Sequence, residues 1–293
     1  MCGRFGRHEQ IIWTEKGAVM SGNKNKIAGI GELFADLKEK HPLIHCITNP
    51  ISINQCANAI LALGARPMMA EHPLEAPVIT RTAGALMLNL GNLSDTRVTS
   101  MKLSLEAARE EGVKVCLDVC GAACLENRRT LAHDLIKEFA PEIVKGNYSE
   151  IMALARGDYR SSGVDADGRL GEEDVLKIAP QLANSLGVTI LASGRTDIVS
   201  DGTRTCLVKN GTPQLSQVVG TGCMQGAIAA TFLSCRGGFD AAADAALALG
   251  ICAELAATRK GLGTFAVRLM DKLSLITASD IKKHADLTYV SIK

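Results

Sequence analysis

The feature that most constrains this chain is an alternation of short apolar runs with stretches of helical spacing. Leu43–Thr48, Pro67–Ala70, Ala85–Leu90, Val113–Val119, Glu142–Lys145 and Val188–Ala192 read as strands. Gly31–Lys40, Ser52–Leu63, a segment from about Pro73, Asp95–Glu111, Leu131–Phe139, Tyr148–Ala155 and Val175–Leu186 carry apolar residues three and four apart and read as helices. In Ser52–Leu63 the apolar face is Ile53, Cys56, Ala57, Ile60 and Leu61, and Gly64 stops the helix. Strands apolar throughout are covered on both faces, and strands alternating with helices make right-handed βαβ units. The predicted fold is therefore α/β, a mostly parallel central sheet flanked by helices on both faces. Ile198–Ser200 and Arg204–Lys209 read as a hairpin around Asp201-Gly202, and from Gly222 the chain reads as helical to Leu273.

Nothing in the pattern repeats or breaks into a linker. Residues 27–293 are expected to form a single domain, and residues 1–26, polar and Gly-containing, a flexible N-terminal extension. Arg156–Gly171 reads as a mobile surface loop. A net charge of +1 gives no field to attract nucleic acid or an anionic membrane. No uncharged run is long enough to span a bilayer. The ten cysteines lie scattered in apolar segments rather than spaced as a framework, which suits free thiols in a reducing, cytoplasmic compartment. Cys116, Cys120 and Cys124 form C-x3-C-x3-C, which matches no zinc or cluster spacing.

In sheets of this kind ligands bind beyond the carboxyl ends of the strands. The residues just past each strand are polar or small: Asn49 and Pro50, Glu71 and His72, Gly91 and Asn92, Asp118, Gly146 and Asn147, then Ser193, Gly194 and Arg195. The strongest local signal is Val219-Gly220-Thr221-Gly222-Cys223-Met224-Gln225-Gly226, a glycine loop opening a helix. It reads either as a structural turn or as an anion site, where unpaired N–H groups meet the positive end of the helix dipole. Cys223 falls in the first helical turn. It reads as a core thiol or as one whose pKa the dipole lowers. Asn147-Tyr148-Ser149-Glu150 carries a capping box. Alternatively, Glu150 joins Asp118 near Mg2+ on nucleotide phosphates.

Together these residues resemble the hydroxyethylthiazole kinase family of the ribokinase-like superfamily. The resemblance runs from about Leu43 to Ile281. It is carried by His45-Cys46-Ile47-Thr48-Asn49, Leu61-Ala62-Leu63-Gly64-Ala65, Pro67-Met68-Met69-Ala70, Asn89-Leu90-Gly91, Lys145-Gly146-Asn147 with Glu150, Ser193-Gly194 and Gly220-Thr221-Gly222-Cys223. Most relatives carry Asp in place of that Cys. The resemblance implies Mg2+-dependent transfer of a phosphoryl group from ATP to 4-methyl-5-(2-hydroxyethyl)thiazole, in thiamine biosynthesis or salvage. It also implies a homotrimer with sites at subunit interfaces. Met69, Gly220, Asn49 and Gly91 are then expected to bind the thiazole, and Lys145, Ser193, Asp118 and Gly222 the ATP. Asp118 and Glu150 are expected at the metal, and Cys223 beside the reacting hydroxyl.

One segment departs from the family pattern Asp-Pro-Val-Gly-x-Gly-Ala-Ser/Thr. Here it reads Asp118-Val119-Cys120-Gly121-Ala122-Ala123-Cys124-Leu125. A Cβ at Ala123 is expected to oppose a positive φ or close phosphate approach, and so to weaken phosphate handling. Two rival readings stay open: a related kinase acting on the hydroxymethylpyrimidine or another alcohol, and a non-catalytic thiazole-binding protein.

Overall fold

The computed structural model describes residues 19–21, 29–156 and 171–291. Among these, ten strands form one sheet in the order β1-β10-β9-β8-β7-β6-β5-β4-β2-β3. The strands are β1 Val19–Ser21, β2 Leu43–Ile47, β3 Arg66–Met68, β4 Ala85–Asn89 and β5 Lys114–Asp118. They continue with β6 Ile143–Asn147, β7 Thr189–Ser193, β8 Asp197–Ser200, β9 Thr205–Val208 and β10 Leu287–Ser291. From β3 to β7 all pairings are parallel. Beyond β7 the pairings to β8, β9, β10 and β1 are antiparallel.

The helices are α1 Ile30–Lys40, α2 Ile53–Ala62, α3 Ala76–Thr80, α4 Asp95–Glu111, α5 Glu126–Phe139 and α6 Tyr148–Ala155. After them come α7 Glu172–Leu186, α8 Thr221–Leu233, α9 Gly238–Ala256, α10 Leu262–Leu275 and α11 Ala278–His284, with a 3-10 turn at Pro213–Gln217. Strand alternation sorts the core into two layers. Ala85 and Met87 of β4 face one layer with α1, α2, α8, α9 and α10. Leu86 and Leu88 face the other, with α4, α5, α6 and α7. The expected α/β fold, covered on both faces, is the fold observed.

The differences from expectation sit where the apolar signal thins. α5 starts at Glu126, because its first turn is mostly exposed and shows no periodicity. α3 is only five residues long. β10 closes the antiparallel flank at Leu287–Ser291, where the sequence pattern predicts no element. Within the stretch expected to be an extension, Val19–Ser21 pairs with β10. The remainder of 1–26, and 157–170 of the expected surface loop, lie outside the described residues. Pro67 sits in β3 at the sheet edge, where a missing N–H costs no ladder bond inside the sheet. No disulfide joins any of the nine described cysteines.

Candidate active site

Because β2 to β7 run parallel, their carboxyl ends share one edge of the sheet, and α8 begins beside it. Gly220 caps α8 with φ +92°, a conformation that glycine adopts without cost. The Thr221 hydroxyl ties this start to the preceding 3-10 turn, donating to the Leu215 carbonyl at 2.8 Å and the Val218 carbonyl at 3.1 Å. Thr221, Gly222 and Cys223 form the first helical turn, where N–H groups have no intrahelical acceptor. Gly222 is exposed, and Lys145 Nζ lies 3.5 Å from where its Cβ would be. The lysine head therefore reaches the helix entrance from β6.

Lys145 pairs with the last residue of β5: Nζ stands 3.3 Å from Asp118 Oδ2. Asp118 Oδ1 is buried with no hydrogen bond of ordinary geometry. Burial raises the Asp118 carboxyl above the usual range, although Lys145, Asn89 and the Cys120 N–H all favour its charged form. Burial works against the Lys145 charge too, but Asp118 and then Glu150 outweigh it and hold the lysine protonated. Glu150 completes the capping box of α6, with Oε2 accepting from the Asn147 N–H at 2.7 Å. Its Oε1 accepts from the Gly121 N–H at 2.7 Å. Burial, then the charge of Asp118, push the Glu150 carboxyl up to about 7.

The opposite wall is built of amides. Asn49, just past β2, donates from Nδ2 to Cys223 Sγ at 3.1 Å and to Asn89 Oδ1 at 3.0 Å. Asn89, the last residue of β4, donates from Nδ2 to the same sulfur at 3.4 Å. Gly91 donates its N–H to Asn89 Oδ1 at 2.9 Å. Asn49, Gly91, Cys223, Lys145, Asp118 and Glu150, expected to share a site, thus form one connected cluster around the start of α8.

A sequence profile of the Hydroxyethylthiazole kinase family matches residues 34–279. The chain belongs to the hydroxyethylthiazole kinase family. It is 39% identical over 257 residues to hydroxyethylthiazole kinase 2 of Clostridium botulinum strain 657, covering 86% of this chain and 97% of the relative. The structure of a hydroxyethylthiazole kinase protein from Pyrococcus horikoshii OT3 superposes with a TM-score of 0.82 at 35% identity, covering 89% of this chain and 99% of that one. Bacillus subtilis pyridoxal kinase, at 16% identity and a TM-score of 0.53, shares the ribokinase-like fold.

In this member of the hydroxyethylthiazole kinase family the other expected residues sit at the same edge but outside the hydrogen-bonded cluster. Met69 directly follows β3 and packs partly buried against the α8 layer. The neighbouring Ala70 carbonyl is fixed 2.9 Å from His45 Nε2, whose Nδ1 meets the Thr80 hydroxyl at 2.8 Å. Ser193 ends β7 opposite Asn147, with its hydroxyl 3.4 Å from the Gly146 carbonyl.

Two expectations need correction. The Cys223 thiol is raised, not lowered: burial dominates, Asp118 adds repulsion, and Lys145 with the Ser52 and Asn49 hydrogen bonds only partly offsets them. In the segment after β5 the positive φ falls on Gly121, at +80°, and not on Ala123. Ala122 and Ala123 are buried, so their methyls fill the turn rather than strain it. Val119 donates its N–H to the Lys145 carbonyl at 2.9 Å, a bond that a proline there could not make. Asn89 is a site residue that strand-end reasoning passes over. A signal for it exists, since it is the polar end of an otherwise apolar strand at the ligand-binding edge.

Among the described residues, no three His, Cys, Asp or Glu side chains gather into a metal-enclosing group. Asp118 Oδ1, without a hydrogen bond of ordinary geometry and beside a carboxylate whose oxygens already accept backbone N–H groups, suits an ion that takes few protein ligands. Mg2+, which is otherwise satisfied by water and phosphate, fits that description.

Proposed function

We propose that this chain transfers the γ-phosphoryl group of ATP to the hydroxyl of 4-methyl-5-(2-hydroxyethyl)thiazole, in thiamine biosynthesis or salvage. The observation that carries this reading is the connected cluster at the α8 entrance in a chain of this family: cation, carboxylates and helix N–H groups on one side, amides and a thiol on the other. In this reading the N–H groups of Gly220 to Cys223 and Lys145 hold the phosphates, with Ser193 further along the same edge. Asp118 holds Mg2+, and Glu150 braces the Gly121 turn beside it. Mg2+ supplies charge neutralisation on the phosphate oxygens. Met69, Asn49, Gly91 and Gly220 line the thiazole pocket.

The new bond forms between the alcohol oxygen and the γ-phosphorus as the bond to the bridging oxygen of ADP breaks. Such transfer has a loose transition state, and the hydroxyl proton passes late to an oxygen of the transferred phosphoryl group and from there to water. A strong base is therefore unnecessary. That agrees with a Cys223 thiol kept protonated by burial, which orients the alcohol.

The homotrimer belongs to the same proposal. Ile51, Leu61, Met68, Leu74 and Val78 are all exposed large apolar residues, and all fall between the turn before α2 and α3, around the edge strand β3. Exposed apolar side chains near an open sheet edge suit a second copy. No described helix is long and apolar enough to cross a membrane. A cytoplasmic location is part of this reading, motivated by the free thiols.

The test is ADP release coupled to a reporter, with thiazole alcohol, hydroxymethylpyrimidine or no acceptor, and with and without Mg2+. Mg2+-dependent release with the thiazole alcohol alone is expected. Release with the pyrimidine alcohol, or none with either, would replace this reading by one of its rivals. Light scattering that gives a monomer would remove the trimer.

A further inference from the structure

The carboxamide of Asn89 can be read in one orientation only. Its near atom lies 2.9 Å from the Gly91 backbone N–H, which can only donate, so that atom is Oδ1. Its other atom, 3.4 Å from Cys223 Sγ, is then Nδ2, a donor. Asn49 is fixed in the same way. Its Oδ1 accepts from the Ser52 N–H at 3.2 Å, so the atom facing both Asn89 Oδ1 and the sulfur is Nδ2. Two backbone N–H groups thus set two amides, and both amides donate into one sulfur.

We infer that Asn89 is a positioning residue for phosphoryl transfer, one that fixes Cys223 Sγ as a hydrogen-bond acceptor and locks it to the Asn49–Gly91 wall. Asn89 is fully buried at the end of β4, which gives it rigid support on a central strand. Cys223 arrives from α8, 134 residues later in the chain. The Asn89 side chain is therefore a direct tie between the strand edge and the helix that opens the site. A sulfur free to rotate would present its hydrogen and lone pairs in several directions. Accepting two N–H groups, with the Ser52 hydroxyl as a further partner, restricts its presentation toward the cleft. The inference rests on the phosphotransfer reading for its purpose, but the orientation itself stands on hydrogen bonds alone.

The isosteric Asn89→Asp variant separates orientation from bulk. It keeps an oxygen for Gly91 and Asn49 and turns the donor facing the sulfur into an acceptor. We expect kcat to fall at least tenfold with KM for ATP changed less than twofold. Asn89 also supports the charged form of Asp118, so part of the loss is independent of the sulfur; in a Cys223→Ala background the same change should cost at least threefold less than in the wild type. In parallel, carbamidomethylation of Cys223 at one fixed pH, followed by peptide mass spectrometry, should slow severalfold in Asn89→Asp while Cys235 reacts as before. This readout needs no turnover, so a wild-type chain without kinase activity defeats the function reading and still leaves the sulfur contact measured. Should Asn89→Asp not fold, Asn49→Asp removes the other donor to the same sulfur and carries the same cycle. Equal losses with and without Cys223, or an unchanged alkylation rate, overturn the inference and leave Asn89 as packing.

Discussion

The Lys145 ammonium stands 3.3 Å from the Asp118 carboxylate, and both side chains are almost wholly out of water. The pair links the ends of β5 and β6, which are neighbours in register through Asp118 and Lys145. A buried pair contributes little net stability, but removing one partner leaves the other charge stranded at a cost of about 3–5 kcal/mol. Lys145→Met should therefore lower the urea-unfolding free energy by roughly that amount. It should also reduce ADP release far more than folding loss explains, because the same ammonium faces the α8 entrance. A variant with wild-type turnover would show that Lys145 serves the fold alone.

Glu150 makes a pH prediction with a definite sign. Its carboxyl is pushed up from an ordinary 4.5 to about 7 by burial and by Asp118. The folded state then holds a proton that the unfolded chain gives up, so the stability from this group is complete below 4.5 and lost as pH rises through 7. Asp197, raised to about 6, and Asp244, raised to about 7, act in the same direction. Unfolding of the ligand-free protein in urea should thus need less denaturant at pH 8 than at pH 5. The difference should shrink, without vanishing, in Glu150→Gln. An identical pH dependence in the variant would remove Glu150 as a source.

The segment after β5 yields a stability prediction. Leu125 is the N-cap of α5, half-exposed, with no side-chain bond to the helix's free N–H groups. Leu125→Ser supplies that bond and should stabilise the protein by about 1 kcal/mol. Ala123→Gly should do the opposite, by about 0.5–1 kcal/mol, since Ala123 has no positive φ to relieve. Thermal unfolding of both variants checks this. A destabilised Leu125→Ser would mean that the leucine packs against something that the exposed surface does not reveal.

How much of this is legible in the sequence depends on burial. Asp95–Glu111 and Tyr148–Ala155 are found where periodicity and stop signals put them. The site edge is legible because parallel strands must end together, so Asn49, Gly91, Asp118 and Asn147 can be grouped before any geometry is known, and Lys145 joins them through the family resemblance. What fails is what depends on distance. The dipole argument for Cys223 ignores how deeply α8 packs and how near Asp118 stands, and burial reverses the sign. The strain expected at Ala123 needs a φ that only the folded turn reveals. The Asn89 contact to Cys223 joins residues far apart in the chain, and no local pattern encodes it.

Gly91 offers the sharpest single-atom test of the amide wall. Its φ is not positive, so alanine suits the backbone. The obstacle is the added methyl, which would stand 2.8 Å from Asn89 Oδ1 and 3.2 Å from Asn49 Nδ2. Neither amide can swing aside freely: Asn89 Oδ1 already accepts from Gly91 and Asn49, and both Nδ2 groups meet Cys223. Moving either one leaves a buried polar group unpaired, which costs about 1–3 kcal/mol. The loop cannot retreat easily either, because any shift would break the bonds that buried Arg97 makes to the Gly91 and Asn92 carbonyls, at 3.0 and 2.7 Å. Gly91→Ala should therefore lower stability by about that amount. It should also raise KM for the alcohol, while KM for ATP stays near wild type. Gly31→Ala, in α1 with open space around its Cβ, is the control and should be neutral or slightly stabilising. If Gly91→Ala binds and turns over the alcohol like wild type, the wall yields more readily than its hydrogen bonds imply.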